Sequence, residues 1–139
     1  MTPEIRQIAS LDAEQLFQLR DLYCEAGWIE AGDAAEFLVP AITGSTVAAG
    51  AFENGELVGF GRALSDGCSD AYIQDVVVRK DHRGRGIGRE IIRFLEVELR
   101  CKGVDWIGLV GEPGTEEFYS RLGLKRQPGY TLWKLENGR

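Results

Sequence analysis

A domain of the α/β or α+β class is the fold this chain predicts. Three observations carry the prediction. Helical and strand periodicities alternate along the chain with few long gaps. Asn54-Gly55, a strong short-range hairpin signal, separates two strand-like runs at 46–53 and 56–65. From residue 71 to residue 102 an apolar strand passes through Gly84, Gly86 and Gly88 into an amphipathic helix. Composition alone leaves the choice between α/β and α+β open. At 139 residues, with no internal repeat, low-complexity tract or linker, the chain is read as a single domain spanning 1–139.

Each element has a local reason. Residues 4–9 alternate weakly and open the sheet. Asp12-Ala13-Glu14-Gln15 has the form of a capping box, starting a helix with Leu16, Leu19, Leu22 and Tyr23 on one face. A shorter helix is expected over 33–42, interrupted at Pro40 and ended by Gly44-Ser45. After the hairpin, turns at Asp66-Gly67 and Ser69-Asp70 lead into a strand over 71–79. A helix follows over 88–102, then a strand over 105–110 and a turn at Gly111-Glu112-Pro113-Gly114. Thr115 begins a short helix carrying Phe118, Tyr119 and Leu122, with Gly123 as its C′ residue. Residues 130–135 are expected to close the chain as a last strand.

The most informative segment runs Val76-Val77-Val78-Arg79-Lys80-Asp81-His82-Arg83-Gly84-Arg85-Gly86-Ile87-Gly88-Arg89. Glycines at the end of a strand let a ligand approach the backbone, and the following helix adds the positive end of its dipole. Arg83, Arg85 and Arg89 suit bidentate contacts to a phosphate. A nucleotide triphosphatase loop would need Lys-Ser or Lys-Thr after the glycines, and none follows. A dinucleotide fingerprint would need a third glycine where Arg89 stands.

The net charge of −6 argues against nucleic-acid binding, because basic residues cluster only at Arg79, Lys80, Arg83, Arg85, Arg89 and Arg93. The acidic remainder would either steer a cationic acceptor or simply aid solubility. No apolar run approaches membrane-spanning length and no signal-peptide core is present, so no membrane role is expected. Cys24, Cys68 and Cys101 are odd in number and widely spaced, which reads as free thiols in the cytoplasm. His82, the sole histidine, is expected to be solvent-exposed in the charged turn, and no metal site is expected.

Arg83-x-x-Gly86-x-Gly88, five residues after Val78, resembles the pyrophosphate loop of the GNAT superfamily of acetyl-CoA-dependent N-acetyltransferases. Glu117-Phe118-Tyr119-Ser120-Arg121-Leu122-Gly123-Leu124 is similar to that family's later helix-turn-strand signature. The resemblance implies an α/β fold built as a mixed sheet flanked by helices in the order β-α-α-β-β-β-α-β-α-β, with acetyl-CoA entering where two central parallel strands splay apart. It implies a coenzyme site at Val76, Val78, Arg83, Gly84, Arg85, Gly86, Ile87, Gly88 and Arg89, the two valines acting through their main chain. It also implies Tyr119 as proton donor to the departing thiolate.

Acetyl transfer to an amine further needs an acceptor for the amine proton, because a primary alkylamine with a pKa near ~10.4 is mostly protonated at neutral pH. Asp75, an acid within an apolar run, is a candidate, with a salt bridge to an arginine or a capping role as its alternative. Residues 73–78 also resemble the strand of glucosamine-phosphate N-acetyltransferases that carries Glu-Asp, but Gln74 stands in place of the Glu. Strand alternation puts Gln74 and Asp75 on opposite faces unless a bulge intervenes. Many family members carry an Asn in the turn where this chain has Glu112. The turn backbone or Glu112 would then contact the coenzyme, or Glu112 would serve as base through a water.

Trp28, Tyr72, Tyr130 and Trp133 are candidates to line a pocket for an aromatic or aliphatic amine, and equally candidates for the core. The expected partner is a small-molecule amine. A non-catalytic acyl-CoA sensor and a protein-amine acetyltransferase stay open as alternatives, and a homodimer is plausible.

Overall fold

The computed structural model describes residues 2–136. Backbone proximity divides the chain into two compact units after Leu109, and each is described by itself.

The first unit is a five-stranded sheet with strands β1 (Glu4–Gln7), β2 (Val47–Glu53), β3 (Glu56–Ser65), β4 (Asp70–Val78) and β5 (Trp106–Leu109) in that spatial order. Neighbours are antiparallel except β4 and β5. Those two run parallel because helix α3 (Ile87–Cys101) carries the chain back across the sheet between them. Helix α1 (Ala13–Glu25) opens with the predicted capping box: Asp12 Oδ1 accepts from Gln15 N at 2.7 Å and Gln15 Oε1 accepts from Asp12 N at 3.3 Å. The β2–β3 turn has Asn54 at φ 53° and Gly55 at φ 80°, the two left-handed residues of a type I′ hairpin.

Helices cover both faces. Leu19, Leu22 and Tyr23 of α1 pack with Phe52, Leu57, Phe60 and Val77. On the other face lie Ile87, Ile91, Ile92, Leu95 and Leu99, the apolar stripe of α3. Gly59 and Gly61 of β3 let α3 come close: a Cβ at Gly61 would lie 2.7 Å from Ile91 Cγ2, and one at Gly59 2.9 Å from Ile91 Cδ1.

Helix α2 (Val39–Thr43) corrects one expectation, because Pro40 begins this helix and does not interrupt it. In the first turn the missing N–H of proline has no intrahelical role to lose. A 3₁₀ turn at Glu36–Leu38 precedes it.

The second unit contains the 111–114 turn and helix α4 (Glu116–Arg121). Leu124 N bonds Tyr119 O and Gly123 N bonds Ser120 O, so α4 ends in a Schellman motif with Gly123 at φ 91°. The expected last strand over 130–135 is a second correction. These residues form no strand, and Tyr130, Trp133 and Leu135 are 85–88% exposed. Apolar periodicity gives a segment the look of a strand, but only a ladder partner makes it one.

Candidate active site

In the first unit, β4 meets β5 from Asp70↔Trp106 to Ile73↔Leu109, so among the described residues the edge of β4 beyond Ile73 has no strand beside it. That stretch is also bulged. Arg62 pairs with Gln74 and Phe60 with Val77, leaving Gly61 alone opposite Asp75 and Val76. Asp75 takes φ 55°, the left-handed position that this kind of bulge usually gives to glycine. The extra residue brings Gln74 and Asp75 to one face, where Arg62 reaches both: Nε donates to Asp75 Oδ2 at 2.8 Å and an Nη donates to Gln74 Oε1 at 3.4 Å.

The same Asp75 Oδ2 accepts the Tyr23 hydroxyl at 2.8 Å, while Oδ1 makes no hydrogen bond with the described residues. Burial pushes the Tyr23 phenol well above the usual tyrosine range, and the adjacent Asp75 charge pushes it further. Tyr23 therefore serves as a fixed donor. Trp28 stands edge-on to Tyr23 at 5.1 Å and packs against the α1 side of the core. Tyr72 is half-exposed on the Gln74 face of β4, its ring 5.2 Å from Trp106.

Arg79 N bonds Val58 O at 2.9 Å, which by antiparallel alternation turns the N–H and C=O of Val78 away from β3 toward the open edge. The carbonyl is taken by Arg83 Nε at 3.1 Å. A 3₁₀ turn, Lys80–His82, leads into Gly84 at φ 76° and Gly86 at φ 82°. A Cβ on either glycine would meet nothing within 4 Å, so backbone conformation, not crowding, requires glycine, and the space beside the loop is open. Gly86 is the N-cap of α3 and no side chain of the described residues caps that end, leaving the first-turn amides to face outward.

His82 is a correction: it is 7% exposed, not solvated. Its Nδ1 lies 2.6 Å from Asp81 Oδ1 and its Nε2 3.1 Å from Glu53 Oε1. Arg85 likewise donates to Glu53 Oε2 at 2.7 Å, and Arg79 to Asp81 and Glu56.

In the second unit, Phe118 and Tyr119 meet edge-to-face at 4.9 Å despite their adjacent positions on α4. Burial raises the Tyr119 phenol, and the charge of Glu112 adds to the rise. A Cβ on Gly111 would stand 3.4 Å from the Tyr119 ring and 3.0 Å from Thr115 Oγ1, so glycine there makes room for both.

A family model described as the acetyltransferase (GNAT) family matches residues 3–124. The chain belongs to the GNAT family. An uncharacterized N-acetyltransferase, ycf52, of Pyropia yezoensis is 32% identical over 117 residues, covering 81% of this chain and 66% of the relative. Serotonin N-acetyltransferase 2, chloroplastic, of Oryza sativa subsp. japonica is 42% identical over 74 residues, covering 53% of this chain and 37% of its own length. The chain thus spans no more than about two thirds of either relative. AAC(6')-Iy, solved in complex with the bisubstrate analog CoA-S-monomethyl-acetylneamine, has the same fold, with a TM-score of 0.76 at 18% identity over 97% of this chain and 99% of that one.

Within this GNAT fold, Asp75, Val76, Val78, Tyr72 and the glycine loop lie along one strand and its exit. Arg83 and Arg85 hold the loop's own architecture, whereas Arg89, in the first turn of α3, makes no bond with the described residues. Sequence reasoning missed Arg62 and Tyr23. A lone arginine in the apolar run 57–64 was the available signal, since a charge there needs a partner. Among the described residues no cluster of His, Cys, Asp or Glu could hold a metal.

Proposed function

We propose that this chain moves the acetyl group of acetyl-CoA to a primary amine of a small molecule, by direct attack of the amine in a ternary complex. One observation carries the reading: an unpartnered stretch of β4 runs straight into an open glycine loop and an uncapped helix N-terminus. Together these offer unclaimed backbone donors for a pantetheine arm and a pyrophosphate. The solved structure of the same fold in complex with a CoA bisubstrate analog supports a coenzyme A ligand.

The coenzyme supplies a thioester: as the amine nitrogen bonds to its carbonyl carbon, the C–S bond breaks and the thiolate leaves. The chain's residues manage the protons. Asp75 Oδ1, turned away from Tyr23 and Arg62, accepts the proton that the amine gives up, directly or through a water. Glu112 is the alternative acceptor. Tyr119, kept protonated by its surroundings, donates to the thiolate. The first-turn amides of α3, with Arg89 beside them, face the pyrophosphate.

The half-exposed Tyr72–Trp106 pair favours a flat apolar amine beside Asp75. The rice relative is named for serotonin, so an arylalkylamine is the first acceptor to test. The experiment is thiol release from acetyl-CoA over arylalkylamines, polyamines, amino sugars and amino acids, with Tyr119→Phe and Asp75→Asn alongside. Arylalkylamine turnover that falls about a hundredfold in each variant is the expected result, in the range of acid–base catalysis. Binding of CoA by calorimetry without turnover on any amine would favour a sensor or a protein acceptor. Absence of binding would overturn the coenzyme assignment.

A further inference from the structure

We propose that His82 is a positioning residue for the coenzyme loop, its imidazole locking the loop entrance to the tip of the β2–β3 hairpin. The inference rests on the reading of residues 83–89 as the coenzyme loop. Glu53 and Glu56 flank the Asn54-Gly55 turn, and both are engaged from the loop side. His82 Nε2 and Arg85 take the two oxygens of Glu53, while Arg79 takes Glu56 and Asp81. His82 Nδ1 closes the circuit on Asp81.

Each ring nitrogen thus faces a carboxylate oxygen, which only accepts. A neutral imidazole donates to one of them and an imidazolium to both. Glu53, Glu56 and Asp81 face Arg79 and Arg85 in the same cluster. The Nη of Arg79 stands 3.5 Å from Nε2, farther than Glu53, so the ring hydrogen points to the glutamate.

The consequence concerns order. Gly84 and Gly86 carry no side chain to restrain them, so the loop's backbone freedom is limited by what holds the residues around them. α3 holds one end, Arg83 and Arg85 tie the middle, and the His82–Glu53 contact, reaching 29 residues back along the chain, holds the entrance. A loop already ordered spares the coenzyme that entropy cost on binding. Because the ring bonds carboxylates of the loop and the hairpin, it acts through the loop and not on the acetyl group.

The test compares His82→Ala, His82→Gln and Glu53→Gln with the wild type. Expected are a Kd and KM for CoA species raised about tenfold in His82→Ala, as for one lost charge-assisted bond, with kcat at saturating acetyl-CoA changed less than about twofold. His82→Gln, which donates to one carboxylate, falls between. Glu53→Gln and His82→Ala together raise Kd by less than the product of their single effects, because both weaken the His82–Glu53 link. Unchanged CoA affinity in His82→Ala would overturn the proposal. If that variant fails to fold, unchanged affinity in Glu53→Gln overturns it equally. Wild-type protein that binds no CoA would instead overturn the coenzyme reading beneath it.

Discussion

Asp75 is held at φ 55°, a conformation that costs a residue with a Cβ about 1–3 kcal/mol and persists only where its surroundings insist on it. Here Tyr23 and Arg62 insist, through one shared oxygen. Removing the tyrosine hydroxyl forfeits a bond to a charged group, so Tyr23→Phe is expected to lower stability by about 1.5–3 kcal/mol in urea titration at neutral pH. The pH dependence has a definite sign. The folded Tyr23 phenol lies above its unfolded value of about 10, so its stabilisation is full below that pH and is lost as pH rises past it. The urea midpoint of the wild type should therefore fall on the alkaline side, and Tyr23→Phe should lack that part of the fall.

At the scale of elements, the pieces legible in the sequence are those with local causes. The capping box at Asp12, the Asn54-Gly55 turn and the glycine that ends α4 each depend on a few consecutive residues. The bulge in β4 was not legible, because it is a mismatch of register with β3 that neither strand shows alone. The burial of His82 was hidden for a similar reason, since Glu53 lies on another strand. The strand expected at 130–135 failed because alternation does not specify a partner. The loop yields a sharper prediction. Gly86→Ala adds a methyl with nothing within 4 Å to clash with, yet forces a left-handed conformation worth about 1–2 kcal/mol on the N-cap of α3. CoA affinity by calorimetry should drop about tenfold, with the core and the urea cooperativity unchanged.

At the scale of the whole molecule, an acidic chain gathers arginines at one strand exit and pairs two of them, Arg79 and Arg85, with carboxylates there. Arg79, bonding first, and then His82 hold Asp81 down at about 2, and Arg85 holds Glu53 below the usual carboxylate range. Groups with depressed folded values stabilise the protein above their unfolded pKa of about 4 and lose that contribution as pH falls toward 2. Acid denaturation should accordingly set in below pH ~4, and Asp81→Asn should flatten that limb in a series of urea midpoints. Cys24, Cys68 and Cys101 are free thiols.

The two glycines of β3 carry a consequence for coenzyme selection. With Gly59 and Gly61 the apolar stripe of α3 rests almost on the backbone of the sheet, and a single methyl at Gly61 would come 2.7 Å from Ile91. Such a methyl would lift the helix together with the amides of its first turn. The clearance between helix and sheet is thus a gauge set by atoms that are missing. If residues 83–89 form the coenzyme loop as proposed, a strand outside that loop fixes the height at which a pyrophosphate would be gripped above the edge of β4. Drift in that strand would change which acyl carrier fits before any residue of the loop had changed.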